Sequence, residues 1–200
     1  LGTGRGMDPV YEARRTSPGS FALIATRYFN EYGISPEEGK KTLAKIAVKN
    51  HHNGSMCPKA HFHNEITLEQ VLNAPIIAWP LGLFDCCGNS DGAAAAIVVR
   101  ADMAGKFRND PVYVKGLGGA MDSMLPHNRP GFSWTKFESL VNSSQQAYQQ
   151  AGITNPREEL DMAIVHDCFS VTELVIYENF GFSSWGHATE DIDNGFFNLD

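Results

Sequence analysis

The 200-residue sequence predicts an α/β fold, and three observations carry this prediction. Apolar residues recur at helical spacing through much of the first 80 residues. Short apolar runs typical of buried strands follow at residues 93–99, 111–122 and 162–165. An amphipathic helical pattern at residues 133–152 separates the second run from the third. Strands that alternate with helices indicate a parallel or mixed sheet.

The first two predicted helices follow each other closely. Residues 17–33, "SPGSFALIATRYFNEYG", form the first, and Gly33 is a suitable C-terminal stop. Ser35, Pro36 and Glu38 then supply a cap, a first-turn proline and a capping-box acid for the second. The apolar face of the first helix contains Phe21, Ile24, Ala25, Tyr28, Phe29 and Tyr32, and that of the second contains Leu43, Ile46 and Ala47.

The segment after the second helix is rich in His and Asn. Residues 50–66, "NHHNGSMCPKAHFHNEI", are predicted to be an irregular loop, after which Thr67 and Gln70 start a short helix. Residues 1–80 are therefore predicted to be a mainly helical cap domain rather than part of a sheet.

The pattern changes to strands and glycines from Leu81 onward. "DCCGNSDG" is typical of a turn, residues 93–99 of a strand packed closely against a neighbour, and the following residues of a short helix. A second strand is expected in residues 111–122. The helix over residues 133–152 should end near Gly152.

The stretch "MAIVHDCFSVTELVIYENFGF", residues 162–182, joins a third strand to a helix. Ser170 and Glu173 match the reciprocal capping pattern, and Gly181 is a plausible stop. His166 lies between the strand and the helix, where α/β folds place their ligands and where helix amides favour negative charge. The alternative interpretation is a buried histidine satisfied by a backbone carbonyl.

Composition and charge exclude several function classes. The formal net charge of −7 and the absence of a Lys/Arg stripe argue against nucleic-acid binding. The lysines at positions 40, 41, 45 and 49 are predicted to form a solvated helix face. No apolar stretch reaches the roughly 20 residues needed for a membrane span, and no signal-peptide pattern opens the sequence. We expect a cytoplasmic protein, or one in an organelle whose targeting signal is not visible here.

The thiols and the histidine-rich loop raise the question of a metal or a nucleophile. Cys57, Cys86, Cys87 and Cys168 are too few and too irregular for a disulfide framework, so reduced thiols are expected. Cys86 and Cys87 are interpreted as structural thiols rather than nucleophiles. Zinc-ligating residue types occur in the loop, but their spacing fits no standard finger, and no metal site is expected. These residues are His51, His52, Cys57, His61 and His63.

Three stretches together resemble the thiolase superfamily, and more closely the thiolases of the sterol carrier protein X type. "SDGAAAA" at residues 90–96 resembles the end of the first thiolase half. "HDCF" at residues 166–169 resembles the block that replaces Asn-Glu-Ala-Phe of ordinary thiolases. "VKNHHNGS" at residues 48–55 resembles the exit of the loop-domain helix. The resemblance extends along essentially all 200 residues.

This resemblance implies a duplicated, layered αβαβα fold, of which the chain would contain the loop domain and the middle part. Residues 1–80 would be the helical loop domain, residues 81–108 the end of the N-terminal half, and residues 109–200 the beginning of the C-terminal half. The family's nucleophilic Cys would precede Leu1, and its Gly-His-Pro and Cys-x-Gly blocks would follow Asp200, so we expect a piece of a longer protein.

The resemblance also implies an activity and a site. Thiolases make or cleave a carbon–carbon bond in a coenzyme A thioester through an acyl-cysteine intermediate. His166 would bind the thioester oxygen or a water beside it, and Cys87, Ser90 and Phe169 would lie near the pantetheine channel. Coenzyme A would be a substrate, with no permanently bound cofactor. A homodimer is expected, with a small acyl-CoA-binding subunit of OB-fold and zinc-ribbon type as a further partner.

Two alternatives belong to different function classes. One is a thiolase-like aldolase that cleaves a β-hydroxyacyl thioester of the steroid side-chain type; His166 argues against it, because that block of the aldolases is expected to carry Tyr. The other is a non-catalytic lipid-transfer or scaffold subunit.

Overall fold

A computed structural model describes residues 16–122 and 130–199 of the protein. Strands β1 (Ile76–Ala78) and β2 (Leu81–Gly82) form a two-stranded antiparallel sheet, in which Ile76 faces Gly82 and Ala78 faces Leu81. The elements of these two segments are α1 (Ser17–Glu31), α2 (Pro36–Met56), α3 (Leu68–Leu72), β1 (Ile76–Ala78), β2 (Leu81–Gly82), 3₁₀ helices at Leu83–Asp85 and Ala101–Lys106, α4 (Glu138–Ala151), α5 (Pro156–Glu159), α6 (Ser170–Asn179) and α7 (Ala188–Asp193).

Two of the three predicted capping boxes are confirmed. Ser35 and Glu38 form the capping box of α2, and Thr67 and Gln70 form that of α3. Each box satisfies two backbone donors that the first turn of a helix leaves unpaired. Gly33 has a φ of +66°, the left-handed conformation in which a helix commonly ends.

The predicted irregular loop over residues 50–66 is partly wrong, because α2 continues to Met56. Polar side chains in this extra length are bonded to distant parts of the chain. His51 Nδ1 lies 3.0 Å from the carbonyl oxygen of Asn64, and His52 Nδ1 lies 3.0 Å from Glu65 Oε1. These tertiary contacts override the weak helix propensity of His and Asn.

The main core forms where α1 and α2 pack against α6. Tyr28, Leu43 and Leu174 are each fully buried there. α6 lies at its centre and is buried almost along its whole length, including the polar side chains of Glu173, Glu178 and Asn179. The fold is therefore anchored by helix packing, and the small sheet lies at its side.

Three of the four α2 lysines predicted to form a solvated face are instead paired with acids, while Lys41 is exposed as predicted. Lys40 Nζ lies 2.5 Å from Asp85, Lys45 Nζ 2.5 Å from Asp193 and Lys49 Nζ 2.5 Å from Glu173. The side chains of Lys40 and Lys49 are only 14% and 15% exposed. Each of these three lysines therefore ties α2 to a different part of the chain.

The predicted strands at residues 93–99, 111–122 and 162–165 are not paired strands within the described residues. Ile97 and Val98 are each 84% exposed, and Ile164 is 93% exposed. A strand is defined by its hydrogen bonds to a neighbouring strand. In the described residues, none of these three runs has such a neighbour. The prediction of no sheet before residue 81 is also wrong, because β1 begins at Ile76.

The predicted start of α6 is one residue off. Ser170 is the first residue of the helix, Phe169 takes the N-cap position, and no side chain caps that end. Glu173 therefore does not close a capping box. The predicted stop is confirmed, since Gly181 has a φ of +75° just after the helix, as does Gly152 after α4.

Candidate functional site

A short antiparallel contact brings two of the distinctive sequence stretches together. Cys86 forms an isolated bridge with Phe169. Next to it, the backbone amide of Cys87 donates a hydrogen bond of 3.1 Å to the carbonyl of Cys168. The "DCCGNSDG" turn and the "HDCF" block therefore lie side by side, although they are far apart in sequence.

A cavity of about 320 Å³ opens beside this contact. Cys87 and Ser90, both predicted substrate-binding residues, lie on its wall. The hydroxyl of Ser90 is hydrogen-bonded to the Nδ1 atom of His61, which extends from the loop after α2. Asn50 and Asp167 line the opposite part of the wall through α2 and the "HDCF" block. The cavity therefore joins all three stretches that carried the resemblance.

The other two predicted site residues take different positions. His166 is exposed and lies four residues before the first residue of α6. Phe169 is 6% exposed, and its ring centroid lies 4.5 Å from that of Phe21 in the core. Of the described residues, neither His166 nor Phe169 lines the cavity. Their roles in catalysis and in substrate binding stay predictions, as do those of Cys87 and Ser90.

A hydrogen-bonded network joins α2 to the block that carries His166. The side-chain amide of Asn50 donates to Asp167 Oδ2 at 2.6 Å and to Glu173 Oε2 at 2.5 Å. The other Glu173 oxygen accepts from Lys49 Nζ at 2.5 Å and from the hydroxyl of Tyr177. Asp167 and Glu173 therefore share the side-chain amide of Asn50 as a hydrogen-bond donor.

Burial and the nearby Glu173 carboxylate raise the pKa of Asp167 to about 6. The hydrogen bond from Asn50 and the positive charges of Lys49 and His166 act in the opposite direction. The Oδ1 atom of Asp167 is buried and has no hydrogen-bond partner in the described part of the chain. Asp167 therefore changes its charge close to physiological pH.

The four cysteines are free, and two of them are held as neutral thiols. Burial raises the pKa of Cys86 to about 11 and also raises the pKa of Cys168. Cys168 Sγ lies 3.3 Å from Thr172 Oγ1. Because the thiolate is the attacking form, neither of these two residues is prepared to act as a nucleophile at neutral pH.

The histidine-rich segment is satisfied by partners nearby. His51, His52 and His61 contact Asn64, Glu65 and Ser90, while Cys57 is exposed at the end of α2. Across residues 16–122 and 130–199, no group of three His, Cys, Asp or Glu side chains is arranged to hold a metal ion. The absence of bound zinc stays a prediction.

The sequence did not reveal the roles of Asn50, His61, Asp167 and Glu173 around the cavity. Each pairs with a residue of another segment, and no spacing rule connects an amide on α2 to acids more than a hundred positions later. Asn50 and Asp167 do belong to two of the stretches that carried the resemblance, "VKNHHNGS" and "HDCF", but the sequence assigned neither residue a role.

Comparison with known proteins places the chain among thiolase relatives. Residues 118–200 match the family described as thiolase C-terminal domain-like. An acetyl-CoA acetyltransferase of Methanothermobacter thermautotrophicus is 36% identical over 96% of this chain and 49% of its own length. Sterol carrier protein 2 of Gallus gallus is 31% identical over 90% of this chain and 32% of its own length.

A solved structure supports the fold. The structure of the "Ltp2-ChsH2(DUF35) aldolase" matches with a TM-score of 0.79 and 30% sequence identity, covering 90% of this chain and 47% of that chain. The predicted α/β class is confirmed at this level, as a helix-rich part of a thiolase-like fold. The chain spans about half the length of that structure and of the acetyltransferase. In the described residues, no helix is both long and apolar enough to span a bilayer.

Proposed function

We propose that this chain, which belongs to the thiolase family, is part of an enzyme that makes or cleaves a carbon–carbon bond in a coenzyme A thioester. The observation that carries the proposal is the contact between residues 86–87 and 168–169, together with the cavity beside it. It assembles at one place the stretches by which the chain resembles thiolases.

His166 is proposed to stabilise negative charge on the thioester oxygen. It is exposed, so its ring is accessible to a ligand, and it lies just before α6, whose first amides favour an anion. Cys87 and Ser90 would contact the pantetheine arm from the wall of the cavity. Phe169 would support the pantetheine channel from the core rather than contact the substrate, since its ring is packed against Phe21 and does not line the cavity. Coenzyme A enters as a substrate.

The attacking cysteine is proposed to come from outside the described residues. Cys86 and Cys168 are unsuited to attack, because the pKa of each thiol is raised. The acetyltransferase relative is about twice as long as the part that this chain matches. In the complete enzyme an activated thiolate would attack the thioester, and the acyl group would then pass to coenzyme A or to a carbon nucleophile.

The test uses the full-length protein with acetoacetyl-CoA and free coenzyme A. Thiolysis consumes one coenzyme A for each bond cleaved and yields two molecules of acetyl-CoA. The acyl-enzyme should be trapped by rapid acid quench and located by mass spectrometry. No cleavage of acetoacetyl-CoA or of longer β-ketoacyl thioesters would refute the thiolase assignment.

A thiolase-like aldolase is the second candidate, because the matched structure is named an aldolase. Retro-aldol cleavage splits a β-hydroxyacyl thioester into a carbonyl compound and a shortened acyl-CoA, and it consumes no free coenzyme A. Supplying a β-hydroxyacyl-CoA with and without coenzyme A therefore separates the two reactions. Turnover that does not depend on coenzyme A would favour the aldolase.

The proposed partners are a second copy of the chain and a small acyl-CoA-binding subunit. The matched aldolase carries a two-component name, which includes a DUF35 protein. Size-exclusion chromatography with light scattering on the full-length protein measures the first association. If the protein lacks both activities but binds a small subunit, a scaffold role would be supported.

A further inference from the structure

We propose that Asn50 is a positioning residue for His166, acting through Asp167. The inference rests on the proposed function, because it concerns the same histidine. Asn50 lies in the cavity wall, and its amide nitrogen is bonded to Asp167 Oδ2 at 2.6 Å and to Glu173 Oε2 at 2.5 Å.

The first step is the fixing of the turn that carries His166. Residues 162–167 form no helix or strand and have no ladder partners in the described residues, so this segment has no sheet to hold it. The hydrogen bond from Asn50 is the contact that joins the Asp167 side chain to α2. The backbone of Cys168 and Phe169 is held by its contact with Cys86 and Cys87. The side chain of Asp167, the residue next to His166, is held to α2 by the Asn50 bond, so we expect loss of this bond to loosen the turn at residues 166–167.

The second step is the control of charge between two acids. The Glu173 carboxylate lies close to Asp167, and its negative charge raises the cost of ionising the buried Asp167 side chain. Lys49 neutralises Glu173 at 2.5 Å, and Tyr177 also donates to it, whereas Asp167 has the Asn50 amide as its hydrogen-bond donor in the described chain. The side-chain amide of Asn50 therefore donates one hydrogen bond to each acid and keeps the two carboxylates at a fixed separation.

Loss of the amide should change both geometry and protonation. Without Asn50 the Asp167 carboxylate keeps its burial and its repulsion from Glu173 but loses a hydrogen bond that favours the charged form. The pKa of Asp167 should then rise further, and the acid should turn away from α2. Displacement of an active-site group by about 1 Å can cost on the order of 100-fold in rate.

The experiment compares Asn50→Ala with Asn53→Ala in the full-length protein. Asn53 is the same residue type one turn further along α2, and it does not line this cavity. Asn50→Ala should lower kcat by roughly 10- to 100-fold with KM changed by less than about twofold. The acidic limb of its pH–rate profile should move to higher pH. Asn53→Ala should leave both unchanged.

A second variant covers the case in which Asn50→Ala does not fold. Asp167→Ala breaks the same link from the other side and leaves Asn50, Lys49 and Glu173 bonded to one another. It should reproduce the loss in kcat. Asp167→Asn keeps an oxygen that can accept from Asn50 but cannot ionise, so its kcat at neutral pH should stay within roughly threefold of the wild type and the acidic limb of its pH–rate profile should disappear. A loss of kcat as large as that of Asp167→Ala would overturn the positioning role.

A readout without turnover separates failure of the inference from failure of the proposed function. Amide hydrogen exchange at residues 166–169 should be faster in Asn50→Ala and Asp167→Ala than in Asn53→Ala. Exchange rates equal to those of the control would overturn the positioning role. An inactive wild-type protein in which exchange responds as expected would refute the enzyme assignment alone.

Discussion

The amide of Cys87 donates to the carbonyl of Cys168 at 3.1 Å, which joins the turn before the small-residue segment to the block that carries His166. Both contributions are backbone atoms, so the contact does not depend on the cysteine side chains. The site can therefore be tested by substituting side chains around this contact without breaking it.

We predict that His166→Ala in the full-length enzyme lowers turnover by roughly 10² to 10³, the range found when one oxyanion donor is removed. His166→Asn should recover part of this loss, because an amide can still donate a hydrogen bond. The measurement is steady-state kinetics on both variants, with the acyl-enzyme trapped by rapid quench. The fold should be intact, since His166 is exposed. Wild-type turnover, or unfolding of His166→Ala, would contradict the role.

The 200-residue chain by itself should show no thiolase turnover, since the pKa values of Cys86 and Cys168 are raised and no nucleophile is assigned within it. Cleavage of acetoacetyl-CoA is measured against a blank with denatured protein. Activity above this blank would mean that a cysteine within the chain attacks, and Cys87 would be the first residue to substitute.

The histidine-rich segment is predicted to bind no stoichiometric zinc. His52 and His61 already contact Glu65 and Ser90, so their rings are engaged in hydrogen bonds. Elemental analysis of the purified protein is the measurement. About one zinc per chain, lost when Cys57 and His61 are replaced, would show that these residues rearrange around a metal.

Asp167→Asn should stabilise the protein at neutral pH. The pKa of Asp167 is about 6 in the fold against 3.8 as the reference value, so the folded state binds more protons between these two pH values. The contribution of Asp167 to stability therefore falls as the pH rises from about 4 to 6 and is constant above that. Over this pH range the change in unfolding free energy due to Asp167 is at most about 3 kcal/mol.

The measurement is the difference in unfolding free energy between Asp167→Asn and the wild type at pH 4 and pH 7.5. This difference should move in favour of the variant by about 2 to 3 kcal/mol. Asp161→Asn, at an exposed position nearby, is the matched control. A difference that does not depend on pH would show that Asp167 is better solvated than its position indicates.

Gly39→Ala is expected to destabilise the protein by about 1 to 3 kcal/mol, because an added Cβ would overlap with the ring of Phe29. Phe29 is 4% exposed and cannot move freely, so α1 and α2 would have to separate. Thermal unfolding measures the effect, with Gly105→Ala as the control, since nothing lies within 4 Å of a Cβ there. Equal melting temperatures would mean that the two helices adjust at little cost.

Most parts of the fold that depend on neighbours in sequence were predicted correctly, the exception being the cap expected at Ser170. The capping boxes at Ser35 and Thr67 and the stops at Gly33 and Gly152 are local signals, and the structure confirms them. The end of α2 was not predicted, because His51 and His52 are held in the helix by Asn64 and Glu65. Their intrinsic preferences gave no indication of these partners.

The candidate site was predicted only in part, for the same physical reason. The resemblance singled out Cys87 and Ser90, which share a cavity wall, and His166, which lies outside it. Asn50 and Asp167 depend on each other across the fold, and each alone is an ordinary polar residue. Three of the α2 lysines are similar: their spacing indicated a solvated face, while their distant acidic partners determine where they lie.

The extended runs around Ile97, Val112 and Ile164 also bear on how the protein behaves during expression. Val112 is 91% exposed and Ile164 is 93% exposed. Because these β-branched runs pair with no strand in the described chain, a strand of another molecule can pair with them. When the 200-residue chain is produced alone, we expect part of it to form aggregates with a cross-β signature, so the turnover assay on this chain applies to its soluble fraction. Charged substitutions at these three positions should increase the soluble yield while leaving the helical core unchanged.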